Sequence, residues 1–219
     1  MSRTLLKPLK AVTPPVLWRT TRKLIRSTIA KPPELFKGDD ALFREALKSA
    51  RTYGEYGCGA STIWVLQNTS ADVLAVDSSE YWVAEVDRHL DAESRQRAAI
   101  HLVELGASRE LGRPTSYEHS DRFPDYTNWI WEQTRKPDVV LIDGRFRVCC
   151  FLTSLKFAEE GTKLIFDDYI NRPFYHIVEN YLERAEVSGR QCMFVVPHPD
   201  GIDYERLETE IRNFRYVMD

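Results

Sequence analysis

The sequence predicts one doubly wound α/β domain, a mostly parallel sheet with helices on both faces, preceded by a basic N-terminal arm. Three observations carry this expectation. Short apolar stretches alternate with helical segments from Thr52 to Asn213, the pattern of βα units whose strands are buried on both faces. A glycine-rich turn, Gly57-Cys58-Gly59, follows the first strand, and an acid, Asp77, ends the second, twenty positions after Gly57. The chain's 219 residues suffice for one such domain and are too few for two, and its 43% hydrophobic and 29% charged content is that of an ordinary globular protein.

The arm, residues 1–35, is compositionally separate. Residues 1–33 hold eight Lys or Arg and no acid, whereas the rest of the chain carries 22 basic against 33 acidic residues. Pro14-Pro15 and Pro32-Pro33 bracket an expected helix from Val16 to Ile29, with Leu17, Leu24, Ile25 and Ile29 on an apolar stripe among basic residues. Such a helix suits docking on the domain or on a second subunit, or contact with a protein partner or an anionic membrane surface. Nucleic acid is the weakest of these readings. Apolar runs fall far short of the roughly 20 residues needed to span a bilayer. Lys7, Lys10, Arg19 and Arg22 interrupt any secretory signal. The four cysteines show no zinc spacing, and the expectation is a cytoplasmic protein with reduced thiols, peripheral at most to the inner face of a membrane.

The domain is expected over residues 36–219. Asp39–Ala50 reads as a helix packing under the sheet through Leu42, Phe43 and Leu47. Strands follow at Thr52–Tyr56, Val73–Val76 and Ile100–Glu104, with helices at about Ser61–Gln67 and Ser79–Ala99 between them. Gly106–Lys136 is irregular, and long irregular connections in compact domains are commonly functional. It also reads as a surface loop ending in a helix that buries Trp129 or Trp131. Later strands are expected at Val139–Ile142, Lys163–Phe166 and Gln191–Val196, and helices near Arg147–Glu159, Phe174–Ala185 and Tyr204–Asn213.

Open α/β sheets bind ligands beyond the carboxyl ends of their strands, where strand order reverses, and the first βα turn forms half of that crevice. Gly57 and Gly59 allow a tight turn and close approach of backbone to ligand. With Asp77, the glycines resemble a dinucleotide fingerprint, which would make the protein a nicotinamide-dependent oxidoreductase. Thr62, however, stands where that fingerprint places Gly or Ala, and Glu55 precedes the first glycine where it is usually apolar. Glu55-Tyr56-Gly57-Cys58-Gly59 instead resembles motif I of the class I, Rossmann-like S-adenosylmethionine-dependent methyltransferases, over roughly residues 40–200. The resemblance implies S-adenosylmethionine as cofactor, bordered by Glu55, Gly57, Cys58, Gly59 and Ser61. Asp77 would accept the ribose hydroxyls, with Ser78 beside it.

Asp143 and the pair Asp167-Asp168 end two consecutive buried strands, so three carboxylates meet at the ligand side of the sheet. This arrangement resembles bacterial small-molecule O-methyltransferases of the catechol and macrocin types. In those families such acids hold a divalent cation, which implies Asp143, Asp167 and Asp168 as Mg²⁺ ligands. The macrocin-like Asp-Gly-Asp is replaced here by Asp143-Gly144-Arg145. An Arg145 or Arg172 paired with Asp167 would then stand in place of the metal, Asp143 or His176 would serve as general base, and the arginines would bind an anionic substrate. No Asn/Asp-Pro-Pro-Tyr/Phe follows the fourth strand, so oxygen is the better acceptor. The expected activity is methyl transfer to a hydroxyl of a small metabolite or glycan precursor. The alternative is a degenerate cofactor-binding or scaffold protein.

Overall fold

The computed structural model describes residues 35, 36 and 38–219, so residues 1–34 of the N-terminal arm, with the helix expected at Val16–Ile29, lie outside the described residues. The strands are β1 (Thr52–Tyr56), β2 (Asp72–Asp77), β3 (Ala98–Leu102), β4 (Val139–Ile142), β5 (Lys163–Phe166), β6 (Glu186–Ser188) and β7 (Gln191–Val195). They form one sheet in the order β3-β2-β1-β4-β5-β7-β6. β1 pairs in parallel with β2 and β4, β2 with β3, and β4 with β5. β7 enters antiparallel to β5 and to β6. Strand order therefore reverses between β1 and β4.

The helices are α1 (Ala41–Leu47), α2 (Ala60–Asn68), α3 (Glu80–His89), α4 (Ala92–Arg97), α5 (Phe123–Glu132), α6 (Arg147–Phe157) and α7 (Tyr204–Phe214). Alternation along each strand divides the core between the two faces. Tyr53, Val73, Ala75, Val139, Leu141 and Ile165 pack with α1 and α2. Tyr56, Leu74, Val76, Val140, Ile142, Leu164 and Phe166 pack with α5, α6 and α7. Both faces are covered, as near-continuous apolar strands require. Among the described residues no helix is long and apolar enough to cross a membrane.

Several boundaries differ from the sequence reading. The long helix expected over Ser79–Ala99 is two, because Asp91 accepts a hydrogen bond from the Ser94 amide (2.8 Å) and starts α4 afresh. β3 begins at Ala98 and ends at Leu102, two residues earlier than expected. The helix expected at Phe174–Ala185 is a 3-10 segment, Pro173–Asn180, and the chain then enters β6, which the sequence reading lacked. Within the irregular interval, α5 buries Phe123, Tyr126, Ile130 and Trp131, while Trp129 is only partly buried and stacks on His101 at 4.9 Å.

Candidate active site

At the β1/β4 reversal the ends of the two strands touch through glycines. Gly57 has φ +91°, and a Cβ there would lie 2.7 Å from the Gly144 Cα. A Cβ on Gly144 would lie 2.1 Å from the Tyr126 hydroxyl and 2.8 Å from the Gly57 nitrogen. Neither position tolerates a side chain, which brings the β1 and β4 turns into backbone contact. Beyond them opens a crevice of about 280 Å³.

One half of the crevice is built by the first two strands. Gly57, Cys58, Gly59, Ser61, Asp77, Trp82 and Leu111 line it. Asp77 accepts from the amides of Cys58 (2.8 Å) and Ser79 (2.7 Å), and each carboxylate oxygen keeps a lone pair for a further donor. Burial raises its pKa, against the pull of these amides. At Gly59 a Cβ would meet nothing closer than the Trp82 ring at 3.8 Å, so its missing side chain leaves room on the ligand side.

Glu55 and Ser78 sit differently from the sequence expectation. Glu55 is fully buried and does not line the crevice: it accepts from the hydroxyls of Ser61 and Thr62 (2.5 Å for Thr62), and Thr62 Oγ1 accepts from the Gly59 amide (2.9 Å). The acid thus braces the glycine turn from beneath. Burial pushes its pKa to about 8. Thr62, which stands out in the sequence as a misfit to the dinucleotide pattern, is the link between brace and turn. Ser78 turns aside to donate to the Gly112 carbonyl (2.8 Å), fastening the loop that carries Leu111.

The other half is formed by Tyr126, Asp143, Gly144, Arg145, Arg147, Asp168 and Arg172. Asp143 keeps 30% of its side chain accessible at the crevice floor, yet desolvation by the surrounding protein raises its pKa to about 7, with the Arg147 guanidinium opposing. Arg147 is 3% exposed. It donates from Nε to the Gly144 carbonyl (3.0 Å), from Nη1 to that of Asp167 (2.9 Å) and from Nη2 to that of Asp143 (2.9 Å). Nη2 also pairs with the Asp143 carboxylate at 3.0 Å. Arg190 makes a bidentate pair with Asp167 and reaches Asp168 at 2.9 Å, while Gln191 donates to Asp167 (3.0 Å). Arg172 pairs with Asp168 at 2.7 Å.

Asp143, Asp167 and Asp168 do converge, each offering an oxygen within 4.8 Å of the others. Their surroundings do not fit a divalent cation. Three guanidiniums already neutralise them, and an ion would have to displace Arg190 and sit against Arg147 and Arg172. The expected partner of Asp167 also changes: it is Arg190, whereas Arg145 pairs with no side-chain carboxylate among the described residues and Arg172 serves Asp168. His176 does not line the crevice; its Nε2 lies 3.2 Å from the Tyr169 carbonyl and its ring packs on Tyr169.

Strain marks the same place. The non-glycine residues with positive φ among those described are Leu111 (+61°), Phe146 (+54°) and Asp168 (+57°). Leu111 and Asp168 line the crevice, and Phe146 stands in sequence between Arg145 and Arg147, which also line it. Left-handed conformations are costly for such side chains and persist where the surroundings over-determine them.

No family model matches the sequence, and no curated protein does. Among solved structures, a methyltransferase-like protein from Silicibacter pomeroyi is 31% identical, with a TM-score of 0.71 over 86% of this chain and 99% of that one. A methyltransferase from Geobacter sulfurreducens, 14% identical with a TM-score of 0.50 over 86% and 93% of the two chains, shares the fold.

Proposed function

Since the chain belongs to the class I S-adenosylmethionine-dependent methyltransferase family, we propose that it transfers a methyl group to a hydroxyl oxygen of a small molecule, with Asp143 as general base. The residues present fit the cofactor. Asp77 offers two oxygens to a pair of hydroxyls, the Gly57–Gly59 turn leaves space for close approach, and Asp77 and Asp143 favour a cationic ligand. When bound, S-adenosylmethionine supplies an electrophilic methyl on a sulfonium.

The observation that carries the reading is Asp143 itself. Its carboxylate reaches the crevice between the glycine turn and the arginine wall, and its pKa of about 7 suits a base that must take a proton near neutrality. Asp143 would take the proton of the acceptor hydroxyl, leaving its oxygen free to accept the methyl group that bound S-adenosylmethionine would supply, with S-adenosylhomocysteine as the leaving group. Arg147 holds Asp143 in place through both its carbonyl and its carboxylate. Nothing in this sequence of events calls on a metal.

A screen of hydroxylated small molecules with isotopically labelled S-adenosylmethionine tests the proposal. It expects labelled methyl ether products that Asp143→Asn fails to make. Label on nitrogen or carbon, or equal turnover by the variant, would overturn it.

A further inference from the structure

The four guanidiniums around the crevice are not equally engaged. Arg147 commits Nε, Nη1 and Nη2 to three carbonyls and the Asp143 carboxylate. Arg190 commits Nε and Nη2 to Asp167 and Nη1 to Asp168. These two complete the protein's own framework. Arg145 and Arg172 do not, and both line the crevice.

Arg145 donates from Nη1 to a main-chain oxygen of Asp219 (2.8 Å), the last residue of the sequence, where that oxygen belongs to a carboxylate; its Nε is buried without a partner, as is Asp219 Oδ2, and among the described residues no side-chain carboxylate pairs with it. Arg172 gives Nη2 to Asp168, which Arg190 already serves, and Nη1 only a long contact of 3.4 Å to the Tyr175 hydroxyl. Its side chain remains 39% exposed. Both guanidiniums line the crevice with donors beyond these pairings, and a guanidinium fork matches the geometry of an oxyanion. We infer that Arg145 and Arg172 are an oxyanion-binding wall for the methyl acceptor, which is therefore a small hydroxylated molecule bearing a carboxylate or phosphate.

This inference rests on the methyl-transfer reading and adds the acceptor's charge. The crevice is then polar from end to end: Asp77 and Asp143 face the cationic donor, and the two arginines face the anionic acceptor. The same cations stabilise the negative charge that grows on the acceptor oxygen as Asp143 takes its proton. Recognition of charge and activation of the nucleophile come from one wall.

The test is ligand-observed NMR on the protein with and without saturating S-adenosylhomocysteine, using inorganic phosphate, benzoate and, as the neutral control, benzyl alcohol. Saturable binding of phosphate or benzoate is expected, with benzyl alcohol at least about tenfold weaker, and the better-bound anion identifies the headgroup. Arg145→Gln and Arg172→Gln should each weaken the anion roughly tenfold while S-adenosylhomocysteine affinity stays within about threefold of wild type. Because Arg172 is partly exposed, its variant tests the wall even if Arg145→Gln fails to fold. Absence of saturable anion binding, equal binding of benzyl alcohol, or anion binding unchanged in Arg172→Gln overturns the inference. Parallel loss of S-adenosylhomocysteine does so too, because the guanidiniums would then hold the cofactor's own carboxylate. Failure of the wild type to bind S-adenosylhomocysteine would sink the methyl-transfer reading instead, whatever the anions do.

Discussion

Replacing Glu55 by Gln removes one proton equilibrium from the core while keeping the shape of the neutral carboxyl. The amide oxygen still accepts from one hydroxyl, and the amide nitrogen donates to the other, since Ser61 and Thr62 rotate to suit. In the fold, burial holds the Glu55 pKa at about 8, against an ordinary value of 4.5. Between those values the folded chain keeps a proton that the unfolded chain releases, so stability falls as pH rises through the window. From about pH 5.5 to about pH 7.5 the wild type loses roughly 2–3 kcal/mol that Glu55→Gln retains. Urea denaturation of both proteins without cofactor measures it. Asp77 and Asp143, also raised, are common to both and cancel in the difference. A difference constant within about 0.5 kcal/mol across the window, or one of opposite sign, would refute the buried neutral acid.

The active-site assignments yield further expectations. Asp143→Asn should slow methyl transfer by about 10²–10⁴-fold with S-adenosylhomocysteine affinity preserved. The wild-type rate should climb with pH as Asp143 loses its proton, with a midpoint near 7; a flat profile would remove Asp143 as the base. Gly144→Ala forces a Cβ to 2.1 Å from the Tyr126 hydroxyl and should cost about 3 kcal/mol or more, read as a lowered Tm; an unchanged Tm would contradict the close β1/β4 contact. Asp77→Ala should weaken S-adenosylhomocysteine more than about tenfold by calorimetry, and undiminished binding would exclude Asp77 from the cofactor site. Chelation followed by added Mg²⁺ should leave turnover unchanged, whereas stimulation would show that an ion does enter among the arginines.

Much of the framework was legible in the residues because it is written in local patterns. β4 and β5 are short apolar runs with sharp boundaries, β1 ends at its glycine turn, and the structure keeps all three where expected. Gly57 announced a turn and has the positive φ a turn needs. What failed to show depended on partners distant in sequence. Arg190 and Asp167 are 23 positions apart and meet because the β6–β7 hairpin returns beside β5. A three-residue β6 has too little periodicity to read, so its arginine could not be placed. Glu55 looked like a ligand contact because acid and glycines are adjacent in the chain, but alternation along β1 sends its side chain to the face beneath the turn. His176 stands near the right edge in sequence, yet the 3-10 geometry directs it to the Tyr169 carbonyl.

Arg147 has a consequence for anyone who would redesign this protein. Because one side chain ties together the carbonyls of Asp143, Gly144 and Asp167, the turns after β4 and β5 form a single fixture. Lysine offers a compact charge rather than a fork of fixed directions and would not replace it. A transplant of the 143–147 turn into another scaffold would have to bring Asp167 and Arg190 with it. Arg145 and Arg172 stand outside those three carbonyl bonds, Arg172 pairing with Asp168 and Arg145 donating to Asp219. If the two arginines hold the acceptor as inferred, altering them would change the acceptor while the fixture that carries them stays.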